Sequence, residues 1–121
     1  MRAELKEMFS PDLASPLQDY WPETEGNFGF SLRLMIGPEG SDAAESFDVF
    51  VCTPDWLKQE HADEKYVWGR HMLIVLEYDA ALIKRAVERH VSRCLGTDWS
   101  EIARRLSRFG AWEFEDYQPD S

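Results

Sequence analysis

The sequence predicts an α+β fold, with an antiparallel or mixed sheet of four to five strands and two to three helices packed on one face. Two neighbouring segments, 28–36 and 47–51, have apolar residues at every second position, which is typical of paired strands. Two later segments, 79–96 and 98–110, have apolar residues three and four positions apart, as helices covering a sheet do. The length of 121 residues and the 44% hydrophobic content suit a single domain over residues 1–121.

Three strands are predicted in the first half of the chain. AELKEMFS alternates loosely and is the first candidate, and the three prolines that follow it mark an irregular connection. FGFSLRLMI alternates strictly, so one face of this strand is expected in the core and the other in solvent. SFDVFVC alternates in the same way, which predicts an antiparallel hairpin closed by the acidic loop GPEGSDAAE.

A short helix and a buried strand are predicted next. Thr53 is a suitable N-cap, Pro54 fits the first helical position, and Asp55 complements the positive end of the helix dipole. After a polar loop, HMLIVLEY is almost wholly apolar, which is typical of a strand covered on both faces.

Two helices and an edge strand are predicted to complete the fold. Asp79 caps the first helix and Gly96 ends it, while Asp98 with Glu101 resembles a capping box for the second, which Gly110 ends. The apolar stripe of the first helix comprises Leu82, Ile83, Ala86, Val87, Val91, Cys94 and Leu95. AWEFEDY then alternates as a charged edge strand does, so the expected order is β-β-β-α-β-α-α-β.

The charge is strongly acidic and uneven along the chain. The net charge is −10, and residues 1–78 carry 15 acidic and 6 basic side chains, whereas residues 79–109 carry 4 acidic and 7 basic ones. This acidity argues against nucleic acid and against an anionic membrane as ligands, because both need a basic surface. A cationic protein is the partner that the charge favours, although solubility alone also explains such a composition.

The chain is expected to be cytoplasmic. No apolar run of 18 residues is present, and the start MRAELKEMF lacks the apolar segment of a signal peptide. Two cysteines form no disulfide framework, which agrees with a reducing compartment.

Three constellations have residue types suited to chemistry. Cys52 ends a strand just before a helix N-terminus, where a thiol pKa can fall, so a small cysteine hydrolase using Cys52 with a histidine is one alternative. His90 and Cys94 stand one helical turn apart but offer only two metal ligands. Glu113 and Glu115 share one strand face, whereas glycosidase carboxylates converge from different elements. The sequence therefore predicts no catalytic residue, no metal and no cofactor.

Aromatic residues near the predicted loops are more numerous than one small core needs. They are Tyr20, Trp21, Phe28, Trp56, Trp68 and Tyr117. Aromatic side chains beside charged ones are typical of protein-binding surfaces, although packing in the core is the other interpretation.

Four segments together resemble the immunity protein 8 family of bacterial polymorphic toxin and contact-dependent inhibition systems. They are YWPETEGNFGF, MIGPEGSDAAESFDVFVCTPDWL, GRHMLIVLEYD and WSEIARRLSRFGAWEFEDY. The resemblance extends in order over nearly the whole chain. The resemblance implies a cytoplasmic, non-enzymatic protein that binds the C-terminal catalytic domain of a cognate toxin, often a nuclease, and blocks it without a cofactor.

Two acidic groups are the predicted contact surfaces for that toxin. The first comprises Glu39, Asp42, Glu45 and Asp48, with Glu23 and Glu25, and the second comprises Glu113, Glu115 and Asp116. In both groups, solvated charges or ion pairs with nearby arginines are the alternative interpretation. Another hypothesis is a nucleic-acid mimic that inhibits a DNA-binding protein, for which the acidic charge is the only support.

Overall fold

The computed structural model describes residues 1–115 of the chain. Its elements follow the predicted order, which is therefore confirmed. They are β1 (Ala3–Phe9), β2 (Gly29–Pro38), β3 (Glu45–Cys52), α1 (Pro54–Glu60), β4 (Met72–Ile74), α2 (Ala80–Ser92), α3 (Trp99–Leu106) and β5 (Ala111–Trp112).

The five strands form one mixed sheet, so the predicted α+β class is confirmed. β1, β2 and β3 pair antiparallel, whereas β4 runs parallel to β3. β5 also pairs with β3, opposite Phe47 and Asp48, while β4 lies opposite Phe50 to Cys52. β4 and β5 therefore share the same side of β3, one after the other.

Alternation along β2 and β3 separates a covered face from an open face. The covered face carries the buried side chains Phe30, Leu32, Leu34, Ile36, Phe47, Val49 and Val51. α2 packs against this face through Ile83, Val87 and Val91, and α3 through Ile102, Ala103 and Leu106. Removing so much apolar surface from water is the dominant favourable contribution to folding.

α1 lies apart from the two core helices. No residue of α1 is buried, and its Trp56 packs on Phe50 of the open face, with ring centroids 4.9 Å apart. The predicted cap is confirmed, because Thr53 Oγ1 accepts a hydrogen bond from the backbone N–H of Trp56. Thr53 Oγ1 also accepts from the N–H of Phe28, which joins the start of this helix to the start of β2.

The prediction of a fourth strand covered on both faces is wrong. Only Met72–Ile74 pairs, and Ile74 and Leu76 have 50% and 80% of their surface exposed. The run is covered on one face only, because Leu73 and Val75 pack in the core whereas Ile74 and Leu76 point to solvent. β4 also lies at the end of the strand order, with no strand described beyond it among residues 1–115.

The predicted ends of the two long helices are also wrong. α2 ends at Ser92 rather than at Gly96, because the N–H of Arg93 bonds back to His90 and the chain then turns towards β1, where Leu95 forms a bridge with Arg2. α3 ends at Leu106, and a turn separates it from Gly110.

The capping box of α3 is confirmed in part. Asp98 Oδ1 accepts from the N–H of Glu101, but the Glu101 carboxylate accepts from the N–H of Thr97 instead of that of Asp98. Among the helices within residues 1–115, none has the length and the apolar run that crossing a bilayer requires.

Candidate functional site

The acidic loop between β2 and β3 has a fixed shape. Lys6 Nζ donates to the carbonyl oxygen of Ser41 at 2.5 Å, and Ser41 Oγ accepts from the N–H of Ala43 at 3.0 Å. The N–H of Glu39 donates to the carbonyl of Arg2 at 2.9 Å, which ties the loop to the start of β1. These bonds hold the exposed carboxylates of Glu39 and Asp42 at one end of the sheet.

Two glycines permit this loop geometry. A Cβ atom on Gly37 would lie 1.8 Å from the carbonyl oxygen of Ala43, so only glycine allows the loop to return so close to β2. Gly40 has φ +82°, a conformation that other residues rarely adopt.

The fold brings one residue from each predicted acidic group to this end of the sheet. Glu45 Oε2 accepts from Nε1 of Trp112 at 2.6 Å. Glu113 Oε1 accepts from the N–H of Ser46 at 2.7 Å, and the N–H of Glu113 donates to the carbonyl of Ser46 at 3.1 Å. The segment after α3 is thus joined to β3, and Glu45 and Glu113 lie in adjacent positions.

An open groove separates the acidic loop from that segment. It has a volume of about 460 Å³, and both Glu45 and Glu113 line it. Its remaining lining is mainly apolar: Gly37, Pro38, Ala43, Ala44, Trp99 and Phe114. We call this region the hairpin-end groove. An apolar floor beside carboxylates can receive the stem and the charged end of a lysine or arginine.

Asp48 differs from the other members of the first acidic group because its charge is already paired. On the open face, Arg33 Nε donates to Oδ1 at 2.9 Å and Arg33 Nη2 donates to Oδ2 at 3.1 Å. This bidentate geometry keeps both side chains in place, so Asp48 presents a neutralised pair rather than a free carboxylate.

Glu23 and Glu25 lie at the opposite end of the sheet from the acidic loop. They precede β2, and the carbonyl of Glu25 accepts from the N–H of Tyr78 at 3.1 Å. Since β2 is 10 residues long, about 30 Å separates its two ends. The first predicted group is therefore divided between two ends of the molecule.

The second acidic group is divided as well. Glu113 lines the hairpin-end groove, whereas Glu115 Oε1 pairs with Arg70 Nη2 at 2.5 Å. Asp116, predicted with them, lies outside the described residues, as does the aromatic Tyr117.

Cys52 has the surroundings of a packed thiol. Its side chain is fully buried, and burial raises the pKa of the thiol, whereas a nucleophile needs a lowered pKa. Trp56 lies over Gly29 and Phe50, the neighbours of Cys52 on the open face. The geometry therefore gives the alternative hypothesis of a cysteine hydrolase no support.

Of the pair His90 and Cys94, Cys94 is likewise buried, whereas His90 is exposed on α2. Burial lowers the pKa of His90 and raises that of Cys94, and the imidazole packs against Phe109 with ring centroids 4.1 Å apart. Across residues 1–115, no cluster of three or more histidine, cysteine or carboxylate side chains is placed to hold a metal ion.

Comparison with known proteins identifies the family of this chain. The family model described as Immunity protein 8 matches residues 3–117. This chain belongs to the Immunity protein 8 family. The searches of curated proteins and of solved structures gave no match. Membership indicates an immunity protein that acts against a toxin, and it implies a cognate toxin as the binding partner.

The contact surfaces predicted from the sequence contain only acidic residues, but the structure also exposes several large apolar side chains. Trp68 is 85% exposed, and Trp21, Tyr66 and Leu76 are also exposed. The sequence predicts Trp21, Trp68 and Phe28 as aromatic residues of a binding surface. Trp21 and Trp68 are exposed, whereas Phe28 is buried. Large apolar side chains in solvent are typical of protein interfaces.

Proposed function

We propose that this immunity protein neutralises the C-terminal catalytic domain of its cognate toxin by covering the toxin's active site with the hairpin-end groove and the acidic loop beside it. The observation that carries the proposal is the meeting of free carboxylates and apolar surface in one place. Glu39 and Asp42 are exposed on a fixed loop, next to a groove that Glu45 and Glu113 line.

A nuclease is the toxin class that this surface suits best. A nuclease cleft is basic because it holds phosphates, so carboxylates can occupy the positions that phosphate oxygens take in the substrate. The net charge of −10 would attract such a cleft over a long range and raise the association rate. No bond in the toxin needs to change, so the inhibition requires neither catalysis nor a cofactor, and it would take place in the cytoplasm.

The fixed shape of the acidic loop supports a slow dissociation. A loop that is ordered before binding loses little conformational freedom in the complex. The hydrogen bond from Lys6 Nζ to Ser41 and the close approach at Gly37 supply that order. Binding would bury the apolar side chains of the groove, above all Trp99 and Phe114, and displace the water that covers them.

Co-expression tests the proposed function itself. The probe is the C-terminal domain of the toxin encoded beside the gene of this chain, and growth is measured with and without the immunity protein. We expect full protection and a complex that survives purification. Unchanged toxicity in the presence of folded immunity protein would refute the proposal.

Charge reversal tests where the toxin binds. Glu39→Lys with Asp42→Lys changes two exposed charges at the groove. Glu7→Lys with Glu88→Lys makes the same change in net charge beside β1, outside the groove and on the opposite side of the sheet from β4. We expect the first pair to weaken binding by about 10- to 100-fold and to reduce its salt dependence, and the second pair to act far less. Equal losses for both pairs would leave only a general charge effect.

A further inference from the structure

The outer edge of β4 offers unpaired backbone groups to a partner. The N–H of Phe50 bonds to the carbonyl of His71, and the N–H of Val75 bonds to the carbonyl of Cys52. In a parallel pair these contacts direct every second residue of β4 towards β3 and the residues between them away from it. The backbone N–H and C=O groups of Met72 and Ile74 therefore point outwards. None of these four groups has a hydrogen bond within residues 1–115.

The edge is held in the shape of a strand. At its start, Nε2 of His71 forms a 2.8 Å hydrogen bond with the carbonyl oxygen of Ser107. At its end, Tyr78 is fixed by two bonds, from its N–H to the carbonyl of Glu25 and from its hydroxyl to the carbonyl of Leu17. A strand that is already extended costs a partner little ordering entropy.

The opposite edge of the same sheet, formed by β1, is protected against pairing with another chain. β1 carries Glu4, Lys6 and Glu7, and a bulge lies between Leu5 and Glu7. Charges and bulges of this kind discourage pairing with another chain. β4 has neither, since its residues are Met, Leu and Ile in regular register. The edge of β1 is therefore protected by charges and a bulge, whereas the edge of β4 is protected only by its length of three residues.

Exposed apolar side chains flank the edge of β4. Ile74 lies on it, Leu76 follows it in a bend, and Trp68 precedes it in the connecting loop. β5 and the hairpin-end groove continue along the same side of β3, about 17 Å or less from β4. A standard interface of about 800 Å² per partner is wide enough to include both regions.

We propose that the toxin adds an extended strand to the outer edge of β4. Its backbone would pair with Met72 and Ile74, and its apolar side chains would cover Trp68 and Leu76. This inference rests on the proposed function and extends it by naming how the toxin is gripped. The added strand would carry basic residues, because Glu25 and Glu77 lie exposed at the end of β4 and the whole chain has a net charge of −10. The same charge opposes pairing between two copies of this chain.

A proline at position 74 tests the backbone contact. Ile74→Pro removes an outward N–H without removing a bond to β3, since proline is tolerated where an edge N–H faces solvent. Ile74→Ala is the matched control, because it also loses the side chain but keeps the N–H. With the adjacent-gene toxin domain as the probe, we expect Ile74→Pro to bind at least about tenfold more weakly than Ile74→Ala.

Amide exchange of the wild-type chain gives a readout that needs no substitution. In the free protein, the amides of Met72 and Ile74 should exchange rapidly and that of Val75 slowly, because only the last donates to β3. Addition of the toxin domain should protect Met72 and Ile74.

The outcomes separate the two proposals. If wild type fails to protect cells, the proposed function is refuted and this inference with it. If wild type protects, while Ile74→Pro binds as Ile74→Ala does and the two amides stay unprotected, only the strand addition is refuted. A wild-type dimer in sedimentation that Ile74→Pro converts to monomer would assign the edge to a second copy of this chain and overturn the inference.

Discussion

On one face of the sheet, β2 and β3 present alternating apolar side chains that α2 and α3 cover, and on the other face the same strands present Arg33, Asp48 and Phe50. The first face is shielded by two helices, whereas on the second Trp56 of α1 packs over Phe50 and Gly29 at one end. This difference indicates that stability is concentrated on the covered face. The open face and the outer edge contribute less to stability.

The largest expected difference between the faces is that between two phenylalanines on β3. Phe47 is buried on the covered face, where its ring stacks on Trp112 with centroids 6.2 Å apart. Phe47→Ala should lower the free energy of unfolding by about 3–5 kcal/mol, because it leaves a cavity in the core. Phe50→Ala on the open face is the control and should cost about 1–2 kcal/mol. Urea denaturation measures both, and equal losses would contradict the comparison.

Ionisation of the buried Tyr78 should make the free energy of unfolding depend on pH in the alkaline range. It packs on Phe28, its hydroxyl donates to the carbonyl of Leu17 at 2.5 Å, and burial with a smaller effect of Tyr20 raises its pKa to about 12. A raised pKa stabilises the fold below the unfolded value of 10.0, and this contribution is lost as pH rises towards 12. The free energy of unfolding should therefore fall by about 2 kcal/mol between pH 10 and pH 12.

Urea denaturation at pH 9, 10 and 11 measures the first part of this fall, about 1.3 kcal/mol, and Tyr78→Phe is its control. The variant should be less stable at pH 9 by about 1 kcal/mol, because the bond to Leu17 is lost. It should also lose the part of the pH dependence that Tyr78 supplies. An unchanged slope in the variant would show that other groups cause the alkaline loss.

The sequence predicted the elements of the fold where local chemistry determines them. The N-caps Thr53, Asp79 and Asp98 were identified correctly, because a side-chain oxygen before the first turn acts within three residues. The apolar run of β4 gave a wrong prediction, because its burial depends on whether a layer packs on each face of the sheet, which is a tertiary property. The end of α2 depended in the same way on the bridge between Leu95 and Arg2.

The candidate site was less predictable for the same reason. Glu45 and Glu113 were assigned to separate groups, and they meet because β5 pairs with β3 across a separation of 67 residues between Ser46 and Glu113. The alternation did place Arg33 and Asp48 on the non-core face of their strands. Their pairing required the register of the hairpin, which the composition of a long loop does not determine.

Cys52 lies on the open face of the sheet and is nevertheless buried. Cys52→Ser should lower the free energy of unfolding by about 1–2 kcal/mol, since a hydroxyl is harder to bury than a thiol. Protection against the toxin should remain complete, because the proposed inhibition uses no nucleophile. Urea denaturation and the co-expression assay give the two readouts. Loss of protection by a variant that is folded would restore the hypothesis of a cysteine hydrolase.

The smallest effect is expected for the ion pair of the open face. Arg33 and Asp48 have side chains that are 40% and 41% exposed, so water and salt screen their attraction despite the bidentate geometry. A double-mutant cycle with Arg33→Ala and Asp48→Ala should give a coupling below about 1 kcal/mol, smaller still in high salt. A coupling above about 2 kcal/mol would mean that the open face contributes to stability as the core does. A small coupling would mean that this ion pair can open at little cost, so that Arg33 or Asp48 can pair with a charged group of a bound toxin instead.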